Sequence, residues 1–219
     1  MPSKEMIKNI AWLGHDSFRI DGSKSIVFDP YQIQPAAPAD LVLVTHEHFD
    51  HCSPDDVAKV QGPATKVITE KDSAPKLSGD VQVVAPGDHV TVEGVTIDVV
   101  PAYNVDKSFH PKENGWLGFI VEIDGVRIYH AGYTDFIPEM SEIKTDIALL
   151  PVSGTYVMTA AEAVEAALAI QPQIAIPMHY GAIVGESSDA EKFRSALEGK
   201  IEVVVLEQAY PKHCMVSLG

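Results

Sequence analysis

A short run that alternates histidines and acids follows an apolar stretch, and it constrains this chain more than any other feature. Residues 41–44 are the apolar LVLV, and residues 45–51 read THEHFDH. In an extended segment, residues two apart point the same way, so His46 and His48 can converge on one cation. A turn after the strand would aim Asp50 and His51 at a second cation. The run therefore predicts a metal site at the end of a strand.

The residue types in this run favour a catalytic metal. Imidazole together with carboxylate suits zinc, manganese or iron. Two such ions about 3.5–4 Å apart can activate a water molecule and polarise a substrate oxygen. Three of the nine histidines lie within residues 46–51 and interleave with acids, which argues against a chance cluster on the surface. The pattern predicts hydrolase chemistry with Zn2+, or alternatively Mn2+ or Fe, and one or two ions per chain.

Composition limits the class of protein and of partner. A chain of 219 residues with 46% hydrophobic residues can bury a full core, as one domain or as two fused halves. The 16 basic and 31 acidic residues give a net charge of -15, which repels nucleic acid and anionic lipid. We therefore expect a small-molecule substrate, no nucleic-acid partner and no membrane partner, while a homo-oligomer stays open.

The cellular location is predicted from cysteine content and hydropathy. Cys52 and Cys214 are the only two cysteines, so no disulfide framework is indicated. No stretch approaches the roughly 18 apolar residues of a membrane span, and the first residues, MPSKE, carry no apolar signal core. These observations predict a cytoplasmic protein.

The order of predicted elements changes along the chain. As far as residue 130 short strands dominate, and Asp124-Gly125 is a turn signal between two alternating strands. One brief helix is predicted after a cap at Ser53. After residue 145 strands alternate with helices, and Thr159 and Ser188 each open a predicted capping box. Two sheets flanked by helices follow, in two αβ halves that meet near residues 125–145.

Several short motifs lie at the ends of the predicted strands. They are WLGH at residues 12–15, FDP at 28–30, THEHFDH at 45–51, PAY at 101–103, YHAG at 129–132 and PMHYG at 177–181. Together they resemble the metallo-β-lactamase-fold hydrolase superfamily, and the nearest likeness is to its L-ascorbate-6-phosphate lactonase-like branch. The resemblance implies an α/β fold: a four-layer αββα sandwich formed by residues 1–219 as a single domain, with metals at one edge between the sheets.

The resemblance also implies roles for residues that match the family's motifs. The predicted metal ligands in these motifs are His46, His48, Asp50, His51 and His179. The first two belong to one metal and the other three to the second. Asp50 is in addition a predicted catalytic residue, because it can orient the attacking water.

Three more positions match the family at strand ends. Asp29 corresponds to a position whose side chain hydrogen-bonds a metal ligand and orients it. His15 and His130 each have two interpretations. Either they line the site, with His130 as a second catalytic residue, or they are histidines with satisfied hydrogen bonds at strand ends.

The chain departs from the family at two positions. A histidine usually follows the strand that ends here near residue 101, but Tyr103 and Asn104 stand in its place. His110, or failing that Asn104, is predicted to replace it on the first metal. The bridging aspartate usually follows a glycine, yet here Tyr133 holds that position and Asp135 comes two residues later.

Tyr133 leaves three alternatives open. A phenol has one oxygen and a pKa of about 10, so it ligates a metal only if the metal removes its proton. In order of preference, the alternatives are a hydrolase with one metal or a weakly bound second metal, a site with the Tyr133 phenolate as a ligand, and a metal-poor binding protein. Asp135 substitutes for the bridging acid only if the turn that carries it directs its side chain toward the metals. Lys107 either faces solvent or receives a substrate carboxylate or phosphate.

The predicted function is a metal-dependent hydrolase that uses metal-activated water on a small ester, lactone or phosphoester. One alternative is a non-catalytic or weakly active metal-binding protein, in which Tyr133 marks a degenerate site. Another is a nuclease. The net charge of -15 argues against the nuclease, because phosphate contacts dominate nucleic-acid binding.

Overall fold

The computed structural model describes residues 2–209, and within them two sheets face each other across a shared core. The first sheet runs in chain order through β1 Ile10–Gly14, β2 Ser17–Asp21, β3 Ser25–Phe28, β4 Leu41–Leu43, β5 Lys66–Thr69 and β6 Asp80–Val83. The second comprises β7 His89–Val92, β8 Val95–Pro101, β9 Leu117–Ile123, β10 Val126–His130, β11 Ile147–Pro151, β12 Ile174–Met178 and β13 Glu202–Val203. Its order across the sheet is β13-β12-β11-β10-β9-β8-β7.

Helices cover the outer faces of the two sheets. They are α1 Pro2–Met6, α2 Pro54–Ala58, α3 Ala160–Ile170 and α4 Ser187–Ala196, with 3-10 turns at Ile7–Asn9, Ala74–Lys76, Lys112–Asn114 and Pro138–Glu142. In β4, Val42 packs with Val57 of α2, whereas Leu41 and Leu43 face the core between the sheets. On the other side, α3 contributes Ala163 and other small side chains to the core with the second sheet. The predicted four-layer αββα order is confirmed.

Local sequence signals set several of the element ends. Ser53 caps α2, and Thr159 forms the predicted capping box at the start of α3. Asp124 and Gly125 both adopt the positive φ that a tight hairpin turn needs. The predicted start of α4 is wrong by two residues: its capping box is formed by Glu186 and Asp189, not by Ser188 and Glu191. A glutamate side chain supplies the same oxygen acceptor for the free backbone N–H groups.

Parallel pairing brings two pairs of strand ends to one region. In the first sheet Phe28 lies opposite Leu43, so the residues that follow β3 and β4 leave side by side. In the second sheet Pro151 lies opposite Met178, so the segments after β11 and β12 also leave together. Carboxyl ends of neighbouring parallel strands are where open sheets place functional groups. The THEHFDH run and His179 therefore start from rigid supports.

Two sequence predictions concern features outside the sheets. No helix among residues 2–209 is long and apolar enough to cross a membrane. Cys52 is a buried free thiol, while Cys214 lies outside the described residues.

The main core contains side chains from both sheets. The single-domain organisation of residues 1–219 stays a prediction.

Candidate metal centre

The first group of histidines forms where the segment after β4 meets a long loop. Ligand nitrogens of His46, His48 and His110 lie within 4.8 Å of one another. The Nε2 atoms of His46 and His110 are 3.3 Å apart. His46 and His110 are buried and His48 is partly exposed, so the group opens toward solvent on the His48 side. The structure thus brings His110 to the position that lacked a histidine in the sequence pattern.

Asn104 holds the loop that delivers His110. Its Oδ1 accepts a hydrogen bond from the His110 N–H at 3.0 Å, and its own N–H donates to the His110 carbonyl at 2.8 Å. Its Nδ2 donates to the Tyr156 carbonyl at 2.9 Å. Asn104 therefore shapes the loop with its amide, so the structure does not place it as a substitute ligand.

Asp135 and Lys107 are paired with each other rather than aimed at the histidines. Lys107 Nζ lies 2.5 Å from Asp135 Oδ1, and the Val105 N–H donates to Asp135 Oδ2 at 2.9 Å. Both carboxylate oxygens are therefore occupied by the loop. This corrects two predictions: Asp135 does not replace the bridging acid, and Lys107 is not free for a substrate anion.

The second group joins both sheets. Ligand atoms of its four members lie within 4.8 Å of one another, and these members are His15, Asp50, His51 and His179. His15 Nε2 is 3.1 Å from Asp50 Oδ2, and His51 Nε2 is 3.6 Å from the same oxygen. His15 and His179 adopt φ values of 53° and 59°, in the left-handed region that non-glycine residues seldom occupy. Such strain persists where surrounding packing holds a side chain in a required direction.

Side-chain oxygen atoms of Asp29 and Thr45 fix the orientation of two histidine rings. Asp29 Oδ2 accepts from His51 Nδ1 at 2.8 Å and from Thr45 Oγ1 at 2.6 Å. Since the Thr45 hydroxyl proton is used there, Thr45 Oγ1 accepts from His46 Nδ1 at 3.0 Å. Asp29 Oδ1 accepts from the Thr45 N–H at 2.7 Å. This is the supporting arrangement that Asp29 was predicted to provide.

His179 is held in the same way by a residue that the sequence analysis missed. Ser153 Oγ and His179 Nδ1 are hydrogen-bonded at 2.8 Å. Ser153 lies two residues after the end of β11, and this position near a strand end is the only local sequence signal for its supporting role. Its partner, His179, was visible only because of the PMHYG motif.

Burial and neighbouring charges shift the protonation of these groups. Burial, followed by the charge on His51, holds the pKa of His46 well below its usual range, and burial lowers the pKa of His110 to about 2. Burial also opposes charge on His51, but the hydrogen bond to Asp29 and the charges of Asp29, Asp50 and Asp16 together outweigh it and raise the pKa of His51 to about 9. Burial opposes charge on Asp50 as well, yet the hydrogen bond from His15 and the charge on His51 hold its pKa well below the usual range. Asp50 is therefore a carboxylate.

The donor atoms present fit a bound transition metal. Buried ring nitrogens without a hydrogen-bond partner include His15 Nδ1, His51 Nε2, His110 Nδ1 and His179 Nε2. In His51 and His179 the other nitrogen is held by an oxygen, which is the usual arrangement in metal-ligating histidines. Unpaired buried nitrogens are costly without a partner, and a cation supplies one.

Tyr133 lies between the two groups of ligands. Its ring centroid is 3.7 Å from that of His110, 4.8 Å from that of His179 and 5.3 Å from that of His51. Burial, with the charges of Asp50 and Asp16, raises the pKa of the phenol. The Tyr133 ring therefore packs against histidines of both ligand groups. Ligation by its oxygen stays a prediction.

His130 is not part of the site, which corrects its prediction as a catalytic residue. Its Nε2 donates to the Asp16 carbonyl at 2.8 Å, and its Nδ1 accepts from the Gly132 N–H at 3.2 Å. The ring is fully buried and stacks on Phe28 with centroids 4.8 Å apart. With both nitrogens used by the backbone, His130 is a structural histidine at the end of β10.

Asp16 is a second residue that the sequence analysis missed. It is fully buried, neither carboxylate oxygen has a hydrogen-bond partner, and Oδ2 lies 3.8 Å from His51 Nδ1. Burial raises the pKa of this carboxyl well above its usual range. Its place directly after His15 was the one available signal, and no spacing rule distinguishes it from an ordinary turn aspartate.

Two facing mixed sheets with helices outside, and histidine groups where the strand ends meet, define a metal-dependent hydrolase of the metallo-β-lactamase fold. A family model described as a beta-lactamase superfamily domain matches residues 9–179. The UPF0173 metal-dependent hydrolases of Thermococcus kodakarensis and Pyrococcus abyssi are 34% and 36% identical to this chain, each over 92% of it and 97% of the relative. The chain belongs to this family of UPF0173 metal-dependent hydrolases.

Solved structures agree with this assignment. The crystal structure of a candidate metal-dependent hydrolase from Parabacteroides distasonis has a TM-score of 0.81 at 34% identity, covering 90% of this chain and 93% of that one. Igni18, a metallo hydrolase from Ignicoccus hospitalis, has a TM-score of 0.73 at 25% identity, with 91% and 94% covered. These names carry no substrate, so the L-ascorbate-6-phosphate lactonase-like branch is not confirmed.

Proposed function

We propose that this metal-dependent hydrolase cleaves a small ester, lactone or phosphoester. The observation that carries the proposal is the convergence of two ligand groups, one of three imidazoles and one with the Asp50 carboxylate, around Tyr133. This donor set favours zinc, with manganese or iron as alternatives, in one or two sites. When bound, such an ion lowers the pKa of a water and polarises the substrate oxygen.

Asp50 is the residue we assign to proton transfer. It is a carboxylate, held by His15 at 3.1 Å, and it keeps 8% of its surface exposed while its neighbours His51 and His179 are fully enclosed. It can accept a proton from the attacking water as that water's oxygen bonds to the acyl carbon or phosphorus. The bond to the leaving oxygen then breaks, and Asp50 returns the proton to that oxygen.

Two competing functions receive less support. A degenerate binding protein is favoured only by Tyr133, because the supporting contacts of Asp29 and Ser153 are intact. A nuclease requires free cations along the nucleic acid, and Lys107 of the site loop is already paired with Asp135. The cytoplasmic location, the small-molecule partner and a homo-oligomeric state stay predictions.

Metal content and turnover test the proposal together. Protein made without a metal-chelating tag would be stripped, reloaded with zinc, manganese or iron, and assayed on p-nitrophenyl acetate, a γ-lactone and bis-p-nitrophenyl phosphate. We expect hydrolysis of at least one substrate only after reloading, and a loss of about 100-fold or more in Asp50→Asn. His89→Ala, at an exposed histidine paired with Asp98, is the control. Stoichiometric metal without hydrolysis would favour the binding protein instead.

A further inference from the structure

Most of the large exposed apolar side chains lie in segments that carry residues of the candidate metal centre. Among the described residues, six large hydrophobic side chains are exposed, and four of them lie in segments that carry site histidines: Phe49, Val105, Phe109 and Ile183. Phe49, at 68% exposure, stands inside the THEHFDH run itself. Apolar side chains exposed in the segments that form a site are typical of a binding surface. We name these four side chains the apolar rim.

Aromatic contacts connect two members of the rim to the ligand groups. On one side Phe109 meets Tyr156 edge-on with centroids 4.8 Å apart, and Tyr156 lies 6.3 Å from Tyr133. On the other side Phe49 meets Tyr31 edge-on at 5.9 Å, and Tyr31 lies 5.9 Å from His15. Each of these two exposed phenylalanines is thus connected to the candidate site through a tyrosine ring.

The cations in and beside these loops are neutralised. Their ion pairs are Lys76–Glu47 at 2.8 Å, Lys107–Asp135 at 2.5 Å and Lys112–Glu139 at 2.8 Å. Asp106, exposed in the same loop as Phe109, forms no ion pair among residues 2–209. The side-chain charge left uncompensated in this loop is therefore negative. A substrate with an anionic tail would meet repulsion here and no charge-assisted donor.

We propose that the apolar rim selects an uncharged ester or lactone with a hydrocarbon or aryl group, which packs against Phe49 and Phe109. The proposal rests on the proposed hydrolase function and narrows it, because phosphoesters with anionic groups are disfavoured. The rim supplies binding area for the part of the substrate that does not react. Residues of the rim are specificity determinants and do not touch the bond that breaks.

Binding of uncharged ligands that are not hydrolysed tests the rim separately from catalysis. The affinities of N-alkylacetamides from ethyl to octyl for the zinc-loaded protein would be measured by calorimetry or ligand-detected NMR. We expect affinity to rise about two- to fourfold per methylene, as partial to full burial of each group predicts. Phe49→Ser and Phe109→Ser should flatten this dependence. Leu168→Ser, at an exposed leucine of α3 remote in sequence from the rim, should leave it unchanged.

Three results would overturn the proposal. They are an affinity independent of chain length in the native protein, tighter binding of n-alkyl sulfates than of acetamides of equal length, and dissociation of an oligomer by Phe109→Ser in sedimentation experiments. The last result would make the rim a subunit interface. Chain-length-dependent binding without hydrolysis of any alkyl ester would support the rim while refuting the proposed hydrolytic function, so the two failures are distinguishable.

Discussion

Replacing His110 by alanine tests whether the loop histidine completes the first ligand group. The substitution removes one of three imidazoles whose ligand nitrogens lie within 4.8 Å of one another. It leaves the loop in place, because Asn104 binds the backbone N–H and carbonyl of residue 110 rather than its side chain. The expected effect is therefore local to the metal.

The expected loss of metal affinity in His110→Ala follows from the removal of one ligand. Residues that only support a ligand change metal affinity by about 10–100-fold when mutated, so loss of a ligand should cost about 100-fold or more at this site. At a fixed zinc concentration well above the weakened Kd of the variant, a 100-fold loss of affinity removes about 2.7 kcal/mol of metal-linked stability. Loss of the buried ring also costs about 1–3 kcal/mol without metal, because its contacts with Tyr133 and Trp116 are lost.

Two measurements separate these effects. Competition with a chromophoric chelator gives the zinc affinity, and urea unfolding with and without zinc gives the stability in each state. His110→Phe keeps a ring in the space but offers no nitrogen, so it should lose zinc affinity with a smaller loss of metal-free stability. His89→Ala is the control for a surface histidine. Native zinc affinity and stoichiometry in His110→Ala would refute the assignment of His110 as a ligand.

Three further predictions concern other contacts. Tyr133→Asp should raise metal stoichiometry toward two in elemental analysis, because a carboxylate would then lie between the ligand groups, and Tyr133→Phe should not; equal stoichiometry in both variants would contradict this. Ser153→Ala should weaken zinc binding by about 10–100-fold by releasing His179 Nδ1. The exposed Ser141→Ala should not, and the same chelator titration compares them. Thr159→Ala should lower the urea unfolding free energy by about 1 kcal/mol through loss of the α3 capping box, and an unchanged midpoint would show that the cap is not stabilising.

Local patterns were sufficient to predict the two sheets and the candidate metal donors that directly follow β4. The alternation in β4 directs Leu41 and Leu43 to the core and Val42 to the outer helix, and it needs no distant partner to be recognised. The spacing of His46 and His48, directly after this strand, likewise lies within a few consecutive residues. Caps at Ser53 and Thr159 are local for the same reason, since a side chain closes on backbone groups of its own turn.

The interpretation of single histidines needed the tertiary structure. His15 and His130 have the same appearance in sequence, each at a strand end, yet His15 bonds Asp50 whereas both nitrogens of His130 bond backbone groups. The difference comes from which distant segment supplies the partner. No pattern within a few residues contains that information.

The sequence by itself was sufficient to predict the two-sheet architecture, the metal dependence and the candidate donors that follow β4, because these depend on periodicity and on donors close together along the chain. Only the tertiary structure decided between His110 and Asn104 for the first group, and only it showed that Asp135 pairs with Lys107 and that Ser153 supports His179. Each of these depends on the path of a loop and on contacts between segments far apart in sequence. Such contacts are set by the packing of the whole core, so they are fixed only when both sheets are in place.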